Sequence, residues 1–260
     1  MEWTDDAIVL AARRLGEGGL VVQLLTAGHG RHAGLARGGG SRRQRPVYQP
    51  GNGVRATWRG RLAEHLGTLT AELHTGRAGR WIADPLRLAG LGAACALAEA
   101  ALPERAPVPA VYRGLLALLD ALERDDWGEA YVAWEIALLG ELGFGLDLER
   151  CAATGSNDRL AFVSPNSGRA VSLSAGAPYA GKLLRLPDFL NGGADVAARA
   201  DGATGAATGD GPAAVSWPDI ADGLKLSGHF LERHVFAPHD GRLPPARQRF
   251  AERVARSASV

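Results

Sequence analysis

Along the first quarter of the chain, apolar runs of strand length are followed by segments in which apolar and polar residues alternate with a period of two. The apolar run Ala7–Leu15 is bounded by Gly16, and a second run covers residues 20–26. Both have strand length. Ala27-Gly28-His29-Gly30 is a turn signal, and Arg31–Arg37 reads as the returning strand. Gly51-Asn52-Gly53 marks another turn. After it Val54, Ala56 and Trp58 alternate with Arg55, Thr57 and Arg59, so one face is apolar and the other basic. This places Trp58 in the core. Residues 66–74 alternate again, with Leu69, Ala71 and Leu73 opposite Thr68, Thr70 and Glu72. Five short strands in this span predict a small antiparallel barrel. The five-stranded Greek-key barrel known as the OB-fold has this pattern.

After His74 the period changes to that of a helix. Asp84 is a capping residue with Pro85 at the first helical position, and Leu88, Leu91, Cys95, Ala98 and Leu102 follow at helical spacing. Val111, Leu115, Leu118 and Leu122 mark a second helix. Asp125 or Asp126 is expected to cap a third, whose Trp127, Tyr131, Trp134 and Leu138 form a core-facing stripe ending at Gly143. Residues 151–190 read as turns and short strands. Residues 191–214 have almost no large apolar side chain and are expected to be a disordered insertion. Helical spacing resumes from Trp217 to Val235, and the segment after Pro245 reads as a basic helix.

With 260 residues, 46% of them hydrophobic, the chain can bury a substantial core and form more than one domain. No run of 18 apolar residues occurs, and the acidic start Met1-Glu2-Trp3-Thr4-Asp5-Asp6 is unlike a signal peptide. A cytoplasmic location is expected. Two cysteines, Cys95 and Cys151, are too few for a disulfide framework or a four-cysteine zinc site.

Charge sharpens the picture. The formal net charge is only +1, but residues 1–80 hold twelve Arg against six acids, and the remainder holds 17 Lys or Arg against 22 acids. Between Arg31 and Arg61 there are eight Arg and no acid. A codon bias towards Arg explains the scarcity of Lys, but not the missing acids. A one-sign patch on a small barrel is the footprint of polyanion binding. The expected nucleic-acid-binding residues are Arg31, Arg37, Arg42, Arg43, Arg45, Arg55, Arg59 and Arg61, with glycines 38–40 making the basic loop adaptable. Tyr48 beside that loop is expected to stack on a base.

Other motifs fail on chemistry. Gly176 to Leu183 approaches a phosphate loop, but Leu183 stands where a Ser or Thr must hold magnesium. Gly28-His29-Gly30 lacks the following helix of a dinucleotide site. His229, His234 and His239, spaced by five, do not share a helix face. Ser164 and Ser167 lack a nucleophile elbow, and Cys151 reads as a buried, inert thiol. No catalytic site is expected, and no cofactor.

Several segments in order resemble the bacterial recombination mediator family RecO. They are His29 to Gly39, Gln49-Pro50-Gly51-Asn52, Glu141 to Leu148, Cys151-Ala152-Ala153-Thr154-Gly155, Ser164-Pro165-Asn166-Ser167-Gly168 and Ser227-Gly228-His229-Phe230-Leu231. The resemblance implies an α+β protein. Its parts would be an OB-fold β-barrel at 1–80, a helical domain at 81–150 plus 215–260, and a zinc-ribbon-like segment at 151–190, with 191–214 as the insertion. It implies a non-enzymatic protein of the nucleoid that binds single- and double-stranded DNA and anneals complementary strands. The implied partners are RecR and the C-terminal tail of the single-strand-binding protein SSB, with a functional link to RecA loading. Some members hold zinc with four cysteines after the helical domain. Here only Cys151 is present, and Thr154 stands three residues on, so this segment is expected to be held by packing and hydrogen bonds. The alternative is another OB-fold module, RNA-binding or translation-associated.

Overall fold

The computed structural model describes residues 1–62, 65–191, 216–239 and 241–258. Apart from Asn191, the insertion expected at 191–214 lies outside the described residues. Asn191 itself is tied down, its Nδ2 donating to the Leu160 carbonyl at 3.3 Å.

The N-terminal strands are β1 (Glu2–Leu15), β2 (Gly19–Thr26), β3 (Gly30–Ala36), β4 (Gly53–Arg59) and β5 (Gly67–Thr75), and they close into a barrel in the order β1-β2-β3-β5-β4. β1 closes the ring by serving two neighbours. Residues 2–8 pair with β4, and residues 7–15 pair with β2 past an irregularity between Val9 and Ala11. The strand begins five residues earlier than its apolar run, because Glu2, Thr4 and Asp6 point to solvent while Trp3 packs against the core. Polar residues at alternate positions satisfy a strand whose outer face is wet.

Ala7, Val9, Val22, Leu24, Val54, Ala56, Trp58 and Leu69 belong to the barrel interior. Trp58 is the largest of them, and its indole N–H donates to the Ala33 carbonyl at 3.1 Å. The seam between β3 and β5 is parallel and only two pairs long, Gly34↔Gly67 and Leu35↔Thr68. Its glycines are required by the indole. A Cβ on Gly67 would come within 2.4 Å of Trp58 Cε2, and one on Gly34 within 2.7 Å of Leu69 Cβ.

His29, Trp3 and Trp58 form a stacked ladder, and the His32 ring meets both tryptophans edge-on. Burial holds the His32 imidazole below its ordinary value, and the charge of Arg105 adds to this. The unfolded chain therefore takes up the His32 proton near pH 6.5, and the folded chain does so only at lower pH. Stability from this residue is complete above about pH 6.5 and is lost as the pH falls below it. Thermal unfolding between pH 8 and 5 should show this acid-side loss, reduced in His32→Gln. Equal losses in both proteins would remove His32 as its cause.

The remaining elements are α1 (Pro85–Ala101), α2 (Pro109–Ala121), α3 (Trp127–Glu141), β6 (Leu160–Val163), β7 (Ala170–Ser172), α4 (Leu173–Gly176), β8 (Leu184–Arg185), α5 (Trp217–Phe230) and α6 (Pro245–Ser257). The chain divides into two compact units, Met1–Leu119 with Pro244–Arg247, and Asp120–Leu243 with Gln248–Val260. The last barrel strand ends at Thr75, and its compact unit continues through α1 and most of α2.

In the first unit, Asp84 caps α1, its carboxylate accepting from the amides of Leu86 and Arg87 at 3.1 and 3.0 Å. Leu91, Cys95 and Ala98 are buried along the helix, which packs on β1. Burial pushes the Cys95 thiol up to about 12, so it stays protonated.

In the second unit, Trp127, Tyr131 and Trp134 are buried, as their spacing predicts, and Phe250 from α6 packs on the first two. Asp126 stands at the N-cap of α3 but does not cap it. Its carboxylate is instead taken by Arg124, through Nε and Nη2, both at 2.7 Å. Glu135 in α3 is fully buried and accepts a hydrogen bond from Ser227 Oγ of α5 at 2.5 Å. β6 is the centre of a three-stranded sheet, β7-β6-β8. No helix among the described residues is long and apolar enough to cross a membrane.

Candidate nucleic-acid interface

The eight arginines expected to line one groove are distributed over the whole barrel. Strand direction places them. At one end of the ring lie the β1–β2 turn and the β3–β4 connection, residues 37–52. These touch each other, the Gly40 amide donating to the Gly18 carbonyl at 3.1 Å. Arg37, Arg42, Arg43 and Arg45 all sit on this connection and are exposed, with no ion pair among the described residues. The connection contains no Asp or Glu.

At the other end, Arg59 finishes β4 and Arg61 follows it, both exposed. Arg59 is paired with Glu2 at 2.8 Å, and its hydrogen bond holds that carboxylate below the usual range. Arg55, halfway along the strand, is paired with Asp6 at 3.2 Å and stands opposite Glu72 of β5. The outer face of β4 is therefore close to neutral. The sequence shows no acid beside these arginines because the acids come from β1 and β5.

Arg31 departs furthest from expectation. Its side chain is only 16% exposed. Nε donates to the Leu102 carbonyl at 2.8 Å and Nη1 to Glu104 at 3.3 Å, while its own carbonyl accepts from the Arg105 amide at 2.7 Å. It fastens β3 to the link between α1 and α2, and its guanidinium is committed to Leu102 and Glu104. Tyr48 also departs. It is 4% exposed and belongs to the barrel core, where burial raises its phenol above the ordinary value. An aromatic ring in this irregular connection is drawn inward among the core side chains, which leaves little of its face exposed.

The structure adds one cation to the basic end. Arg14, exposed at the end of β1, lines a small cavity together with Arg45. Its signal in the sequence is its place two residues before the Gly16 turn, outside the acid-free stretch. Its neighbour Arg13 points elsewhere and pairs with Glu99 at 2.7 Å. A larger cleft of about 770 Å³ is lined by Arg42 and Arg45 together with Leu73, Ile82 and Leu88.

In the second unit, the segment after α3 is organised around Cys151, which is buried. Its Sγ accepts from the Ser172 amide at 3.2 Å and is hydrogen-bonded to Ser172 Oγ at 3.5 Å. Burial opposes the thiolate, but hydrogen bonds from Ser172 and Thr154 outweigh it and bring the thiol down to about 6. The sulfur is buried, as expected, and its hydrogen bonds favour the thiolate. One sulfur ringed by hydroxyls and amides does not fit the four-ligand set of a structural zinc. No group of three His, Cys, Asp or Glu suited to a metal occurs among the described residues. The chain here is instead stitched by backbone hydrogen bonds, Ala152 to Ala170 and Ala170 to Asp147, both at 2.8 Å.

Comparison with known proteins agrees with this architecture. A family model described as Recombination protein O N terminal matches residues 1–77, and one described as Recombination protein O C terminal matches residues 82–243. The DNA repair protein RecO of Rhodospirillum centenum is 54% identical over 259 residues, covering 99% of this chain and 96% of that protein. The protein of the same name from Rhodospirillum rubrum is 52% identical over 98% of this chain and 97% of its own length. That of a Jannaschia species is 45% identical over 98% and 97%. Both halves of the chain are matched in order and the relatives are covered nearly end to end, so the chain belongs to the recombination protein O family of DNA repair proteins.

Proposed function

We propose that this protein binds single- and double-stranded DNA through the end of its barrel that carries Arg14, Arg37, Arg42, Arg43 and Arg45. The family is one of non-enzymatic recombination mediators, and its DNA-repair identity favours DNA over the RNA-binding alternative. One observation carries the placement: four exposed arginines without acid partners among the described residues share a single acid-free connection, next to a fifth on β1. Each phosphate neutralised there releases condensed counterions, which supplies affinity without reading sequence. Arg61, at the far end, is a secondary contact. Arg55 and Arg59 are largely spent on Asp6 and Glu2.

Annealing follows from the same electrostatics. Two polyanions approach when one cationic surface screens both. In the cell this activity belongs in the cytoplasm, at the nucleoid. There the protein works with RecR, contacts the C-terminal tail of SSB and helps RecA load onto SSB-coated strands. The support for these partners is family membership.

The test is annealing of complementary fluorescent oligonucleotides, each coated with cognate SSB, without nucleotide. Acceleration that disappears when SSB lacks its C-terminal tail is the expected result. No acceleration with DNA binding intact would overturn the mediator reading and leave a plain DNA-binding barrel.

A further inference from the structure

Three large apolar side chains that the first unit leaves in water converge on one place. Leu73 near the end of β5 is 44% exposed, Ile82 before α1 is 75% exposed, and Leu88 in the first turns of α1 is 37% exposed. All three line the cleft of about 770 Å³, which Arg42 and Arg45 line as well. A cleft of this size lies in the range of ligand sites, about 300–1,000 Å³, and clustered exposed apolar surface marks a place of interaction. Among the described residues that line it there is no Asp or Glu.

The occupant must satisfy an apolar floor and two cations at once. A nucleotide unit of an unpaired strand does so, with an apolar base face a short, fixed distance from its phosphates. A duplex does not, because its base faces are stacked inward. The cleft is also continuous with the basic end, since Arg42 and Arg45 belong to both. Gln49 helps to hold this edge, its Nε2 donating to the Arg45 carbonyl at 3.2 Å.

We infer that this cleft receives unpaired bases of single-stranded DNA, laid on Leu73, Ile82 and Leu88 while Arg42 and Arg45 hold the flanking phosphates. The inference rests on the DNA-binding reading above and adds to it a site for bases. It makes the protein favour single strands over duplexes beyond what charge alone provides.

Gly79 lies in the wall of the cleft, and a Cβ on it would meet nothing within 4 Å. A larger side chain there fills the cleft without colliding with the fold. The experiment compares binding of the full chain to an oligothymidylate and to a strand of equal length and charge made of abasic units. The wild-type protein should bind the base-bearing strand about tenfold more tightly. In Gly79→Leu, and independently in Ile82→Ser, the preference should shrink to about twofold or less, with affinity for the abasic strand kept.

Equal wild-type affinity for the two strands would overturn the base site while leaving DNA binding standing. A preference that survives both substitutions would place base contacts elsewhere and overturn it as well. Failure to bind either strand would remove the DNA-binding reading itself. An acidic peptide with apolar residues that binds the wild type but not Gly79→Leu, with no preference for bases, would give the cleft to a protein partner.

Discussion

Reversing Arg42, Arg43 and Arg45 to glutamate should lower affinity for single-stranded DNA about 100-fold or more at moderate salt. It should also flatten the salt dependence. Each phosphate contact contributes about 0.7 to the log–log slope on single strands, so losing three contacts removes about two. The slope is the sharper measurement, because it counts contacts rather than total strength. The three residues are exposed and take no part in the barrel core, so the fold should survive their reversal. A matched control removes a charge pair without changing net charge. Arg55→Gln with Asp6→Asn should change affinity less than about twofold, because that pair already cancels itself. A triple variant with an unaltered slope would take phosphate binding away from this end of the barrel.

The second large effect is on stability. Trp58→Ala should cost about 3–5 kcal/mol, the range for removing a large aromatic from a packed interior. The indole is 1% exposed, donates its N–H to Ala33 and is stacked with Trp3. The space it leaves is bordered by Gly34 and Gly67, which have no side chains to relax into it. A fall of about 10 °C in Tm is expected, and urea unfolding would measure the free energy directly. A loss below about 1 kcal/mol would show that the seam between β3 and β5 does not depend on the indole.

Apolar runs, turn signals and, in the last two strands, period-two alternation made the five strands and the inward face of Trp58 legible from the chain alone, and capping chemistry located α1 at Asp84. The first half of β1 was not legible, because Glu2, Thr4 and Asp6 look like a polar terminus until β4 is laid beside them. The candidate site was legible as a charge imbalance but not as a surface. Whether an arginine is free depends on its partners, and Arg55, Arg59 and Arg31 find theirs 49, 57 and 73 positions away in sequence. Tyr48 carried no signal either way, since a residue in an irregular connection has no periodicity to show which side it faces. Asp126 looks like a helix cap, and only the structure shows Arg124 competing for its carboxylate.

Closure of the barrel matters beyond stability. A sheet with free edges offers unpaired backbone groups that can template association with another chain. Molecules collected along one DNA strand meet at concentrations far above those in free solution. The five strands close into a ring whose shortest seam, β3 to β5, is two pairs long, and the outer strands of the other described sheet, β7 and β8, are only three and two residues long. On the proposed DNA-binding reading, copies brought together on one strand would offer each other little unpaired strand edge.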